Sequence, residues 1–350
     1  MIRTKYLQIM LFLLTAVLAT VVCMKYIPEK LEQQAIDRLV VSRLVDDSGR
    51  RAVWLDGSVR LSFDTAPVNK ECTVKWTSGN PEVASVTDDG VVTGHAVGTA
   101  VITATADSGA TLDIEMHVIR KALPPGSDLP ANYDDELMIA NGHTSIGDYT
   151  PEDLRGIPSS LKVNKPGMKM TGETLEAYSR LAKDTLAATG QPLMVISGYR
   201  SYATQKRLYD EDVAAYMSRG YSREKAQELT ERSTNKPGCS EHQLGNTIDI
   251  GTGPALQYNF NKTKAGAWVH EHAHEYGFIL RYPADKVDKT TIDYEAWHFR
   301  YVGVEHATYI YEHGLCLEEY IELMDEARQA ADEYSKTITA TQYLRTVAAQ

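Results

Sequence analysis

Basic charge is scarce in this chain. It carries 36 Lys and Arg against 47 Asp and Glu, for a formal charge of −11, and no run of basic residues appears along its 350 positions. Nucleic-acid binding rests on neutralising phosphates, so a chain with this balance offers no surface for it. Phenylalanine is also sparse, with five residues against twenty tyrosines. Rings of the tyrosine kind pack one face and wet the other, which suits a peptide or saccharide groove and ordinary packing alike. Cysteine is confined to Cys23, Cys72, Cys239 and Cys316.

What is present is concentrated. The stretch Pro237-Gly-Cys-Ser-Glu-His-Gln-Leu-Gly-Asn-Thr-Ile-Asp249 is answered, 46 residues on, by Glu295-Ala-Trp-His298. His242, Asp249 and His298 give zinc (Zn2+) three protein ligands and leave its fourth position to water, which separates a catalytic site from a closed structural one. With one anionic ligand the metal keeps positive charge and acidifies its water from ~15.7 toward ~7. Glu295 is then the free carboxylate that takes the proton. Gly245 sits between the first two ligands, where a residue without Cβ permits a sharp turn or a close approach. Trp297 reads first as core, and second as a wall that dries the site and holds the neighbouring imidazole. Cys239 has ligand spacing to His242, but the set is complete without it.

These residues carry a family resemblance. Ser197-Gly-Tyr-Arg-Ser201, then Ser240-Glu-His-Gln-Leu-Gly-Asn-Thr-Ile-Asp249, then Glu295-Ala-Trp-His-Phe-Arg300 resemble the VanY-type D-alanyl-D-alanine carboxypeptidases, within the zinc peptidases that include lysostaphin-type enzymes and the hedgehog fold. The resemblance covers roughly residues 136–325. It implies His242, Asp249 and His298 as zinc ligands, Glu295 as catalytic base, and Arg200, Gln205 and Ser240 as lining of the substrate pocket. Ala296 stands where Pro is usual, and Thr247 where Ala is usual; the first bears on loop rigidity and the second on local packing, and both leave the chemistry in place.

Arg200 has two readings from chemistry alone. It caps the helix that starts near Thr204, or it offers paired donors to a C-terminal carboxylate or an oxyanion. Beside the metal pattern the second is expected, making Arg200 catalytic as well as substrate-binding. The activity implied is removal of the terminal D-Ala from peptidoglycan stem peptides. The motifs fix the metal and not the stereochemistry of the cut, so an L,D-carboxypeptidase or a dipeptidase shares them. A non-catalytic cell-surface binding module is the reading from another class, and the retained Glu295 argues against it.

The rest of the chain divides by texture. Residues 7–24 are 18 positions without a charge, preceded by Arg3 and Lys5. That is longer than the ~7–15 apolar residues of a signal peptide and just enough to span a bilayer. Residues 1–26 are therefore expected to form an uncleaved transmembrane anchor, with cleavage after Ala19 as the alternative, and to place the catalytic region outside the cell membrane. Residues 27–50 read as a stalk helix. Residues 51–120 show short alternating strands separated by Gly, Asn-Pro and Asp-Asp-Gly turns, an all-β sandwich. Trp76-Thr-Ser-Gly-Asn-Pro-Glu-Val-Ala-Ser-Val86 and Gly90-Val-Val-Thr-Gly94 resemble the bacterial Ig-like domains of the second group, which implies a spacer. Residues 121–135 have linker density of Pro and Gly. Residues 136–325 mix helices and strands as an α+β domain whose small antiparallel sheet carries the ligands. Residues 326–350 end a helix and trail into a polar tail. An exterior location permits disulfides, and Cys239 is expected to pair with Cys316.

Overall fold

The computed structural model describes residues 38–40, 51–61, 63–66, 73–133, 135 and 137–348; for residues 38–40, 64–66 and 348 it describes backbone alone. The expected anchor, Cys23 and Cys72 lie outside these residues. Among the described residues no helix is long and apolar enough to cross a membrane.

The chain forms two units, residues 1–125 with 330–350, and residues 126–329. The first holds strands β1 (Arg38–Val40), β2 (Arg51–Trp54), β3 (Ser58–Arg60), β4 (Asp64–Ala66), β5 (Val74–Ser78), β6 (Ala84–Val86), β7 (Val91–Gly94), β8 (Gly98–Ala106) and β9 (Thr111–Ile119). They make a four-stranded sheet in the order β2-β9-β8-β5, a three-stranded sheet β3-β7-β6, and the pair β1-β4. Period-two alternation buries Ala100, Ile102, Ala104 and Ala106 of β8 with Ile114, Met116 and Val118 of β9, around Trp76. The strand β1 corrects the expected stalk helix, since Arg38–Val40 pairs antiparallel with Asp64–Ala66 and so takes sheet conformation.

The second unit holds β10 (Leu154–Gly156), β11 (Lys162–Val163), β12 (Lys169–Thr171), β13 (Met194–Ser197), β14 (Thr247–Gly251), β15 (Phe278–Leu280) and β16 (His298–Tyr301). Its helices are α1 (Gly172–Thr189), α2 (Tyr202–Ser218), α3 (Arg223–Thr230), α4 (Lys264–His272), α5 (Val287–Thr290), α6 (Val304–Glu312) and α7 (Leu317–Ser335). The main sheet runs β11-β13-β14-β16-β15, antiparallel except for β11 against β13, so the sheet is mixed where a wholly antiparallel one was expected. Helix α1 lays Ala177, Tyr178 and Leu181 on the sheet residues Val195, Ile248, Ile250 and Phe299. It stops at Gly190, whose φ of 72° suits a residue without Cβ and whose N–H returns to the Leu186 carbonyl. Thr171 stands at its N-cap, but its hydroxyl pairs with that of Thr174 and caps no N–H.

Two expectations at the margins change. Residues 126–135 are held in the second unit, where the Tyr309 hydroxyl donates to the Asp128 carbonyl and Arg328 donates to that of Asp135. Beyond α7, the expected tail folds as helix α8 (Ala340–Ala348) in the first unit. There Thr341 exchanges hydrogen bonds with the Ala52 backbone, and Tyr343 packs 5.6 Å from Trp54.

Candidate metal centre

Sheet register brings the candidate ligands together. In the β14–β16 pair Asp249 stands directly opposite His298, and Ile248 opposite Phe299. Alternation sends Ile248 and Phe299 into the core with α1 and turns Asp249 and His298 to the other face. His242 arrives from a 3-10 turn, Glu241–Leu244, that ends at Gly245 with φ 72°. The positive φ favours glycine there, and a Cβ would also crowd the Leu154 side-chain tip at 2.9 Å. The His242 Nδ1–H donates to the Gly198 carbonyl at 2.8 Å, which fixes the tautomer and leaves Nε2 as the free donor atom.

His242, Asp249 and His298 are 1%, 5% and 4% exposed, and one donor atom from each lies within 4.8 Å of the others. His242 Nε2 is 3.3 Å from Asp249 Oδ2; His298 Nδ1 is 3.0 Å from Asp249 Oδ1 and 3.2 Å from Glu295 Oε2. Burial and the nearby Arg200 lower the pKa of His242 to about 4, so this ring is neutral at neutral pH. Burial opposes charge on His298, yet the Asp249 and Glu295 carboxylates beside it raise its pKa to about 9. Burial likewise opposes charge on Asp249, but the two histidines hold its carboxyl well below the usual range.

The donor set fits a cation. His242 Nε2 and Asp249 Oδ1 are buried polar atoms, the second 3.0 Å from His298 Nδ1. A neutral imidazole lone pair facing a carboxylate oxygen across 3.3 Å is two acceptors without a proton between them. Such a pair is costly in a dry interior and is relieved by a metal ion. Two imidazoles and one carboxylate suit zinc.

The other expected residues are placed as follows. Glu295 is 9% exposed and shares a tight turn with His298, whose N–H donates to the Glu295 carbonyl at 3.3 Å. Arg200 has its N–H on the His242 carbonyl and a buried Nε without a partner; burial lowers its pKa while the facing Asp249 and Glu295 charges oppose that. Gln205 is buried, with Nε2 spent on the Asn235 carbonyl at 2.7 Å and Oε1 unpartnered. It therefore braces the stretch that leads into Pro237. Ser240 is buried at the N-cap of the 3-10 turn without capping it. Cys239 and Cys316 are both free, buried thiols, which corrects the expected disulfide. Each is fixed by its own turn: the Cys239 N–H donates to the Lys236 carbonyl, and the Cys316 N–H to Glu319 at the head of α7. Burial raises the Cys316 pKa to about 11, keeping it a thiol.

Sequence reasoning missed a buried charge cluster beside the centre. Glu241, next to His242, receives Arg281 Nε at 2.9 Å and lies 3.1 Å from Arg300. Arg281 also donates both terminal nitrogens to Glu318. Tyr282 follows Arg281 and sets its ring 4.7 Å from that of His298. The only signal in the sequence was charge inside strand-like runs, at Phe278-Ile-Leu-Arg281 and His298-Phe-Arg300.

Among the described residues the cluster offers metal three donors, and the Glu295 carboxylate, outside that set, stands beside them. A structural site closes its fourth position with protein; three donors would leave that position of a bound metal to water and substrate, as in a metallopeptidase. Comparison with known proteins narrows the class. The family model described as VanY, D-alanyl-D-alanine carboxypeptidase, matches residues 167–304, and that of the bacterial Ig-like domain (group 2) matches residues 48–114. The putative carboxypeptidase YodJ of Bacillus subtilis is 34% identical over 203 residues, covering 56% of this chain and 71% of YodJ. A D-alanyl-D-alanine carboxypeptidase of Enterococcus faecalis is 43% identical over 138 residues, 39% of this chain and 50% of the relative, so the chain spans half the length of that protein. A solved structure of VanYB in complex with D-alanine-D-alanine is 35% identical, with a TM-score of 0.46, over 53% of this chain and 96% of that one. The chain belongs to the VanY family of D-alanyl-D-alanine carboxypeptidases.

Proposed function

We propose that this protein is a zinc-dependent D,D-carboxypeptidase that removes the terminal D-alanine from peptidoglycan stem peptides outside the membrane, held there by residues 1–26. The observation that carries the reading is Glu295 Oε2 standing 3.2 Å from His298 Nδ1, a carboxylate outside the donor set and beside whatever the three donors bind. Zinc held by His242, Asp249 and His298 supplies Lewis acidity to the scissile carbonyl and acidity to water. Glu295 accepts the proton of the attacking water and returns it to the leaving amine. Arg200, facing Asp249 and Glu295, pairs the carboxylate of the departing D-alanine or the oxyanion. Gln205 braces the stretch before His242, and Ser240 lines the pocket beside it.

The test is release of free D-alanine from synthetic stem pentapeptide and tetrapeptide by the zinc-loaded protein, with Glu295→Gln alongside. Release from the pentapeptide that falls by roughly 10²–10⁴-fold in the variant, the range for general acid–base catalysis, supports the reading. Release from the tetrapeptide alone assigns an L,D enzyme. No release with zinc bound makes the domain a binding module.

A further inference from the structure

The turn that carries the base and the last ligand is tied down from behind. Its own closure is weak, since the His298 N–H reaches the Glu295 carbonyl at 3.3 Å and the Glu295 N–H reaches the Tyr282 carbonyl at 3.2 Å, both at the long end for N–H···O. The Trp297 carbonyl accepts the Ile250 N–H at 3.0 Å. The shortest tie is to a side chain: His270 Nε2 lies 2.8 Å from the carbonyl of Ala296. A carbonyl can only accept, so Nε2 carries the proton. Burial holds the His270 pKa below its ordinary value, which makes the neutral ring with that tautomer the working form.

His270 is placed to do this by α4. Its ring packs edge-on to Phe299 at 5.4 Å and lies 6.3 Å from Phe260, so its direction is set by the core. Ala296 is fully buried but small, with no ring to lock its φ and little side chain to wedge it. Ala296 offers the buried turn little side chain to hold it, so the directional bond from His270 is what fixes its backbone. A displacement of about 1 Å at a catalytic group costs on the order of 10²-fold in rate.

Resting on the proposed carboxypeptidase reading, we propose that His270 is a positioning residue whose N–H···O bond to Ala296 aims Glu295 at the metal-bound face of the site. His270→Leu keeps apolar bulk against Phe260 and Phe299 and removes the donor; His270→Gln keeps a donor at similar reach. The expected result is a fall in kcat of about tenfold or more in the Leu variant, with KM and zinc stoichiometry unchanged, and recovery to within a few-fold in the Gln variant. Amide-exchange protection of residues 295–298 is expected to fall with Leu and return with Gln, a readout that needs no turnover. Unchanged kcat and protection in the Leu variant overturn the inference. So does equal impairment of both variants, or loss of zinc in the Leu variant, which would make His270 a support of the ligand set. A wild-type protein that binds zinc but releases no D-alanine defeats the proposed function, and the exchange comparison then still decides whether His270 holds the turn.

Discussion

The largest sheets of the two units spend their faces differently. In the Ig-like unit, β8 and β9 bury only apolar side chains, Ala100, Ile102, Ala104, Ala106, Ile114, Met116 and Val118. Strand polarity there, as in the Thr103 hydroxyl bonded to Asp113, stays at the surface. In the catalytic unit, β14 and β16 bury Ile248, Ile250 and Phe299 on one face, yet Asp249, His298 and Arg300 are also buried. Strands β8 and β9 need only area removed from water, about 25 cal/mol per Å² of apolar surface. Strands β14 and β16 hold charges out of water, where each needs a partner or a metal. A sheet that carries chemistry therefore depends on pairing more than on packing.

Four experiments sharpen or break that contrast. The largest effect is expected from removing zinc: chelation should abolish D-alanine release and lower the unfolding temperature of the catalytic unit alone, read by calorimetry of the whole chain. Zinc must displace the proton on His298, whose metal-free pKa is about 9. Affinity should thus fall about tenfold per pH unit below that value, measured by competition with a chromogenic chelator. Next is Glu241→Gln, which leaves Arg281 and Arg300 with one fewer buried anion. A cost of about 3–5 kcal/mol is expected, confined to the zinc-sensitive transition in denaturant unfolding. A variant that shifts both transitions equally breaks the comparison. The smallest effect on function is expected from Ile102→Ala, at a fully buried position. It should cost the Ig-like unit about 2–5 kcal/mol and leave kcat within error.

The candidate site was legible in sequence because its chemistry is local. His242 and Asp249 lie within one loop and strand, Glu295 and His298 within one turn, and each pair needs only the sheet register to meet. The strands of the sandwich were legible from alternation and turns, and α1 from its period and Gly190. What escaped depends on distant partners. Arg281 and Arg300 look like surface residues until Glu241 and Glu318 arrive from elsewhere. Helix α8 reads as a tail because its partner, β2, lies 289 residues away at Thr341 to Ala52. The stalk segment contributes the strand Arg38–Val40, whose partner is likewise remote. The cysteine pairing failed because shared compartment and count say nothing of whether two sulfurs meet.

The return of residues 330–350 to the Ig-like unit makes the catalytic unit an insertion within it. An enzyme hung on a single stalk is shed by one proteolytic nick. Here the chain leaves the first unit near Pro125 and comes back near Ala330, so a protease that cuts one crossing leaves the enzyme tethered by the other. Parting the two units takes two cuts, and the second must fall in or beyond α7, where a folded helix resists a protease better than an open linker does.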